Sequence, residues 1–479
     1  MSFLTLEAIR RAVEGAWLVE PAETTLEPGG VSIDTRDDLA GRLYVALPGA
    51  RHDGHAFLAE AEADGAVAAL VQADRMTASP TGRLPLLVVE DVLQALWQLA
   101  AEWRGQLGAR VVAITGSAGK TTLRRMVQSI CESEGATTAS RRSFNNHIGV
   151  PLSLLSADPA DRFLVLEIGT NAPGEIRALA ELARPDVGVI TSIGRAHLEG
   201  LGSLEGVAHE KGALLAVLPE GGTAILPADS DQAGILESLV PPGVQTVDFG
   251  AVEGSLKLQE RRSLSPTGEQ AIRLEDGLEL RSRHAGAHNA LNICAALGVS
   301  RSLDIPDQQA AAAICSLEPD SMRLSPLLLE GTGTMLLNDV YNSNPEAVKA
   351  ALQTFGEIAG DASRRMVILG DMLELGPDEA ALHAEVGREV AALNRRCPID
   401  VAIFIGERSR HGADALLDEG FGGLLMTLPG LDDILADSVA ATIHPGDAVL
   451  LKASRGMAFE RIIEAARERG RQTPEFASL

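Results

Sequence analysis

Positive charge, aromatic rings and cysteine are all scarce in this chain of 479 residues. Lysine and arginine number 41 against 66 aspartates and glutamates, for a net charge of −25. Binding to a phosphate backbone needs basic patches, so no nucleic-acid partner is expected, and the acidic surface serves mainly for solubility. Aromatic residues make up only 3%. The four cysteines, Cys131, Cys294, Cys315 and Cys397, are far apart and form no C-x-x-C pair. That excludes a disulfide framework or a cysteine zinc site and fits a reduced, cytoplasmic setting. No run approaches the ~20 apolar residues of a membrane span. The N-terminal stretch carries charges where a signal peptide needs its apolar core. A soluble cytoplasmic protein without a membrane partner is expected. One glycine is missing as well. Residues 115–121, Thr-Gly-Ser-Ala-Gly-Lys-Thr, lack the first glycine of G-x-x-x-x-G-K-[ST].

What surrounds that gap is a strand, a glycine turn and a helix in order. The β-branched run Val111 to Ile114 stops at Gly116, and a helical pattern starts after Lys120. Such a turn aims backbone N–H groups at phosphates, and the helix N-terminus adds the positive end of its dipole. Gly116, Ser117, Ala118, Gly119, Lys120, Thr121 and Thr122 are the expected nucleotide-triphosphate loop. Lys120 reaches the outer phosphates and the Thr121 hydroxyl takes Mg²⁺.

The length implies about three domains. Residues 1–88 read as a small α/β unit with a capped helix from Thr5 and a strand at 43–47. Two polar turns stand out there, Asp34-Thr35-Arg36 and Asp53-Gly54-His55, and taken alone loop chemistry and capping account for both. Residues 89–318 alternate strands with helices, the pattern of a mostly parallel sheet. Strand 163–166 ends at Glu167, and strand 187–190 runs into His197. Ligands of open α/β sheets gather at the carboxyl ends of strands, so both residues are candidate metal ligands beside the phosphate loop. A helix cap and a surface histidine are the alternatives. Lys211, read alone, is an ordinary surface lysine, and His288 to Asn292 could be a capping sequence. Residues 319–479 form a third α/β unit with strands at 335–337, 365–369, 401–405 and 448–451. It lacks a phosphate loop of its own and reads as a Rossmann-like module closing over a site built elsewhere.

These stretches, in this order, resemble the Mur ligases of peptidoglycan precursor synthesis. The similarity rests on the loop around Lys120, on Asn145-Asn146-His-Ile-Gly-Val-Pro-Leu, on Glu167-Ile-Gly-Thr-Asn171 and on Ala-His197-Leu-Glu199. It continues through His288-Asn289-Ala-Leu-Asn292, Arg323 and Asn338-Asp339. Tyr341-Asn342-Ser-Asn344-Pro345 and Leu-Gly-Asp371-Met-Leu-Glu374-Leu-Gly376 look like the member of the family that adds D-alanyl-D-alanine to UDP-N-acetylmuramoyl-tripeptide. The Asp-Asn-Pro-Arg stretch of the diaminopimelate-adding ligase is absent.

The resemblance implies a cofactor set of ATP and Mg²⁺, with Lys120, Glu167, His197 and Lys211 at the chemistry. Thr121 and Glu167 would hold one Mg²⁺, and His197 with a carbamylated Lys211 a second. Asn289 and Asn292 would bind adenine, Asp339 the ribose, and Arg323 would face the phosphates. Asp34, Thr35, Arg36, Asp53 and His55 would belong to a UDP-binding domain. Asn145, Asn146, Asn342, Asn344, Ser454 and Arg455 would contact the remaining substrate parts, in a chain expected to be monomeric. Departures are Asn338 for a common aspartate, Gly-Ala-Leu after Lys211, and Ala-Ser454-Arg455-Gly for Gly-Ser-Arg-Ser. A sibling ligase for another acid and amine, or a nucleotide-binding protein without turnover, are the competing readings.

Overall fold

Three sheets, each covered by helices, follow one another along the chain in this computed structural model, which describes residues 3–49, 52–76, 82–141, 144–195, 198–360 and 362–472. The first sheet has five strands: Ala16–Val19, Leu86–Val89, Ala68–Gln72, Leu43–Val45 and Val31–Ser32 in spatial order. All pairs are parallel except the first. The helix Leu6–Ala12 beside it starts where Thr5 accepts the Ala8 N–H on its side-chain oxygen, the capping chemistry expected of threonine.

The nine-stranded central sheet runs from Glu279–Ser282 through Gln270–Leu274, Leu256–Ser263, Gln245–Gly250, Thr223–Pro227 and Val187–Ile190. It continues through Arg110–Thr115 and Phe163–Glu167 to Thr137–Ala139. Its Thr137-to-Leu256 part is parallel, whereas Leu256–Ser263 pairs antiparallel with Gln270–Leu274 and that strand with Glu279–Ser282. The middle strands are buried along their full length, the continuous apolar pattern of a sheet covered on both faces. Register aligns Ile114 with Glu167 and Thr115 with Ile190, so the three carboxyl ends come out together.

The third sheet has six strands: Ser325–Leu329, Thr334–Asp339, Ala448–Lys452, Arg365–Gly370, Val401–Ile405 and Leu424–Leu428. Only the Ser325 edge is antiparallel. The chain is thus α/β in three domains with mostly parallel sheets. No helix among the described residues is long and apolar enough to cross a membrane.

The two junctions differ. The helix Val92–Arg104 buries Leu96, Leu99 and Trp103 in one continuous core that also takes in Leu70 and Leu87 of the first sheet and Val111 and Leu164 of the central one. The Trp103 ring lies 4.7 Å from that of Phe3, tilted by 52°, and its indole N–H donates to the Ala157 carbonyl at 3.1 Å. Truncating so buried an aromatic costs about 3–5 kcal/mol. The third sheet keeps its own two cores. Guanidinium forks join it to the centre: Arg261 donates to both Glu357 oxygens at 2.8 and 2.5 Å, and Arg195 grips Glu346 and Glu385.

Candidate functional site

Gly119 stands at φ +85 just before the helix Lys120–Glu134, a left-handed turn that glycine makes without strain. A side chain there would run into Asn292, whose Oδ1 would lie 2.7 Å from the added carbon; at Gly116, φ +149, it would collide with the Thr191 hydroxyl. The loop is clasped from the other side. Ser117 and Ala118 donate their N–H groups to the Ser192 carbonyl and hydroxyl, and the Ser117 hydroxyl donates to the Gly194 carbonyl at 3.0 Å.

Lys120 folds back over the loop and donates to the Gly116 carbonyl at 2.7 Å. Burial lowers its ammonium pKa and nearby Arg323 adds to that, while Glu167 opposes them. The Thr121 hydroxyl donates to Glu167 Oε2 and Asn145 donates to Oε1, each at 2.8 Å. Glu167 is 1% exposed, with Arg124 Nε 3.9 Å away. A buried carboxylate, a hydroxyl and a lysine thus meet at the mouth of the loop. Such a set offers hard oxygen donors to a divalent cation and positive charge to phosphate.

These groups open into a cavity of about 490 Å³ between the central and third domains. Of the residues expected at the nucleotide, metal and substrate sites, Ser117, Ala118, Gly119, Lys120, Thr121, Thr122, Asn145, Asn146 and Glu167 line it from one side. Asn289, Asn292, Arg323, Asp339, Asn342 and Asn344 line it from the others. Asn292 donates to Asn289 Oδ1 at 3.1 Å, and Asn289 donates to the Ala285 carbonyl at 2.8 Å. Asp339 accepts from Leu324 N–H and Lys452, and Arg323 lies 3.9 Å over the Tyr341 ring. Asn344 caps the helix Pro345–Ile358 by accepting the Ala347 N–H at 2.8 Å.

Lys211 does not line the cavity. Read alone as a surface residue, it is in fact 1% exposed, on the helix Leu204–Gly212. Burial holds its amine well below the usual lysine range, Lys120 pushes the same way, and Glu210 opposes them. His197 lies outside the described residues.

The remaining expected residues also stand apart from the cavity. Arg36 forks onto Asp34, and the Thr35 hydroxyl donates to Glu60 at 3.2 Å. His55 spends both ring nitrogens inside the first domain, Nδ1 at 2.6 Å from Asp53 and Nε2 accepting from the Gln72 N–H at 2.8 Å. Ser454 Oγ accepts the Leu373 N–H at 3.0 Å, which pins the turn after Gly370, while exposed Arg455 pairs with Glu460 at 2.9 Å. Sequence reasoning assigned no role to Lys452, Arg124 or Ser192, all of which touch the expected residues. A lysine at the carboxyl end of a buried strand was the available signal for Lys452.

Three family descriptions match the chain: the Mur ligase family catalytic domain at residues 28–104, the Mur ligase middle domain at 114–300 and the Mur ligase glutamate ligase domain at 322–455. The chain is 34% identical to the UDP-N-acetylmuramoyl-tripeptide–D-alanyl-D-alanine ligase of Escherichia coli over 98% of this chain and 100% of that one. It is 33% identical to the ligase of the same name from Bacillus subtilis over 96% and 97%. Among solved structures, MurF from Acinetobacter baumannii superposes with a TM-score of 0.83 at 27% identity, covering 97% of this chain and 98% of that one. MurF ligase from Thermotoga maritima in complex with ADP gives 0.78 at 25%, covering 93% and 98%. With its phosphate loop, its three sheets and these matches along nearly its full length, the chain belongs to the Mur ligase family.

Proposed function

We propose that this chain is an ATP-dependent ligase of the cytoplasm, acting as a monomer. It joins the amine of D-alanyl-D-alanine to the terminal carboxylate of UDP-N-acetylmuramoyl-tripeptide, giving the UDP-muramoyl-pentapeptide precursor of peptidoglycan. The carrying observation is the cavity in which Lys120, Thr121 and Glu167 of the central domain face Arg323 and Asp339 of the third. The relatives named for this reaction, and the ADP complex of the Thermotoga maritima neighbour, support the same reading.

A carboxylate is a poor acyl donor, so its oxygen first attacks the γ-phosphorus of ATP and the bond to ADP breaks. The amine of the dipeptide then attacks the acyl carbon. Phosphate departs with the electron pair of the C–O bond, and the amine loses a proton. Phosphoryl transfer of this kind is mostly positioning and charge neutralisation. Lys120 supplies positive charge to the moving group and to the oxyanion that follows. Arg323 faces the phosphates, Asn289 and Asn292 hold adenine, and Asp339 takes the ribose. Closure of the third domain keeps water from the acyl phosphate.

The donor set fits Mg²⁺, because Thr121 and Glu167 offer hard oxygens and this ion is held by one or two carboxylates plus substrate phosphates. Bound there, it supplies charge neutralisation at the phosphoryl oxygens. Lys211 fits carbamylation, which requires a neutral amine, and burial favours that form. The carbamate and His197 would hold a second Mg²⁺. Residues 1–88, with Asp34, Thr35, Arg36, Asp53 and His55, take the UDP-muramoyl end. Residues 89–318 take ATP and, through Asn145 and Asn146, the peptide. Residues 319–479 present the dipeptide, with Asn342, Asn344, Ser454 and Arg455 at its site.

Mass spectrometry of the product from UDP-muramoyl-tripeptide, ATP and D-alanyl-D-alanine is expected to find the pentapeptide. Phosphate release without that product would sink the assignment.

A further inference from the structure

Lys452 ends the strand Ala448–Lys452 and is 1% exposed. Parallel register sets it beside Asp339 on one flank and Leu369 on the other. A lysine ammonium carries three donors and no acceptor. It donates to Asp339 Oδ2 at 2.6 Å and to the Asn342 carbonyl at 3.0 Å, and it borders the cavity. The other Asp339 oxygen accepts the Leu324 N–H at 3.1 Å.

That second bond ties the aspartate to a strained turn. Met322 and Leu324 stand at φ +75 and +49, left-handed conformations that non-glycine residues keep only where the surroundings enforce them. Arg323 lies between them, over the Tyr341 ring, and the Met322 carbonyl accepts the Tyr341 N–H at 3.1 Å. One buried ammonium therefore fixes one oxygen of the carboxylate, while the turn that carries Arg323 is held separately, through the other oxygen and through the Met322 carbonyl.

We propose that Lys452 is a positioning residue for the nucleotide. It holds the Asp339 carboxylate in the one orientation in which its remaining lone pairs face the ribose hydroxyls. The proposal rests on the nucleotide reading given above. A carboxylate oxygen can accept more than one hydrogen bond, so the ammonium and a hydroxyl can share it. Lys452 acts through Asp339, so its loss is felt only by ligands that carry those hydroxyls.

The test measures binding of ADP and of 2′,3′-dideoxy-ADP to the full chain by calorimetry. It compares the unaltered chain with Lys452→Met, Asp339→Asn and the double variant. The unaltered chain is expected to prefer ADP by about tenfold or more, since a site built for hydroxyls is left unpaired without them. Lys452→Met should shrink that preference to about threefold or less and leave dideoxy-ADP affinity unchanged. In the Asp339→Asn background it should change the ratio no further, because the two residues act as one unit.

A merely structural lysine would weaken both nucleotides alike, and that result overturns the proposal. Should Lys452→Met fail to fold, the double variant removes both charges of the pair. A ratio in it below that of Asp339→Asn also overturns the proposal. If the unaltered chain binds neither nucleotide, the cavity assignment falls and this inference with it. If it discriminates and Lys452→Met keeps the ratio, only this inference falls.

Discussion

Arg195 presents Nη1 and Nη2 to the two carboxylate oxygens of Glu385, each at 2.7 Å, and turns its Nε to Glu346 at the same distance. The arginine follows the segment that clasps the phosphate loop, whereas both glutamates sit on helices of the third domain. These carboxylates, Glu385 first, raise the guanidinium pKa above its usual value. The partners are about one-third exposed, so solvent screens the pair and its worth is modest. Arg195→Glu is expected to lower kcat/KM by about fivefold to tenfold, with Glu385→Arg in the same chain restoring part of it. Small-angle scattering should report a more open particle for the single variant. Equal activity and equal radius in both would remove Arg195 from domain closure.

Lys120→Ala should fold with unaltered thermal stability and lose ligase activity on the order of a hundredfold or more, comparable to removing one oxyanion donor. Steady-state phosphate release checks this. Turnover within a few-fold of the original would mean that the γ-phosphate lies elsewhere.

Lys211→Ala should lose most activity, with formate or acetate restoring part by returning oxygen donors. Lys211→Arg, which keeps charge and length, should stay inactive. A carbamate carbon signal from isotopically labelled bicarbonate, absent in Lys211→Ala, gives an independent readout. Near-normal turnover of Lys211→Arg would contradict the carbamate.

Acid sensitivity follows from three histidines, His284 and His383 buried and His288 half-buried at the cavity. Burial depresses His284 and His288 to about 4 and holds His383 below its ordinary value. In the unfolded chain each takes up its proton near ~6.5. The folded form binds fewer protons below that point, so stability rises with pH there. The contribution of His284 and His288 is complete above about pH 6.5 and is lost as pH falls toward 4, by up to ~1.4 kcal/mol per pH unit for each group, and His383 adds to the loss in the same direction. Urea unfolding between pH 8 and pH 5 should show the decline, and His284→Gln should flatten it by about one proton. An unchanged slope in that variant would contradict a neutral, buried His284.

Sequence alone located the parts whose pattern is written in neighbouring residues. Val187–Ile190 and Val401–Ile405 were legible to the residue, because continuous apolar runs bounded by polar groups have few other uses. The strands Leu256–Ser263 and Glu279–Ser282 were not, since their charged and apolar residues mix and they gain order only by pairing. The burial of Lys211 was equally hidden, because local sequence does not reveal what packs over a helix. His55 shows the same limit: Asp53 two residues away was visible, but the Gln72 N–H on its other nitrogen was not. Cavity neighbours such as Lys452 and Asp339 are 113 residues apart and meet only through strand register.

The shared core at the helix Val92–Arg104 has a consequence for cutting the chain. A protease acting between the second and third sheets would release pieces that each retain a closed apolar interior, held together until then by a few ionic contacts. A nick just before Val92 would divide a single interior, leaving Trp103 and Leu96 facing water on one fragment and Leu70 and Leu87 on the other. The first two sheets therefore fold and survive as one inheritance unit, and only the third is a separable module.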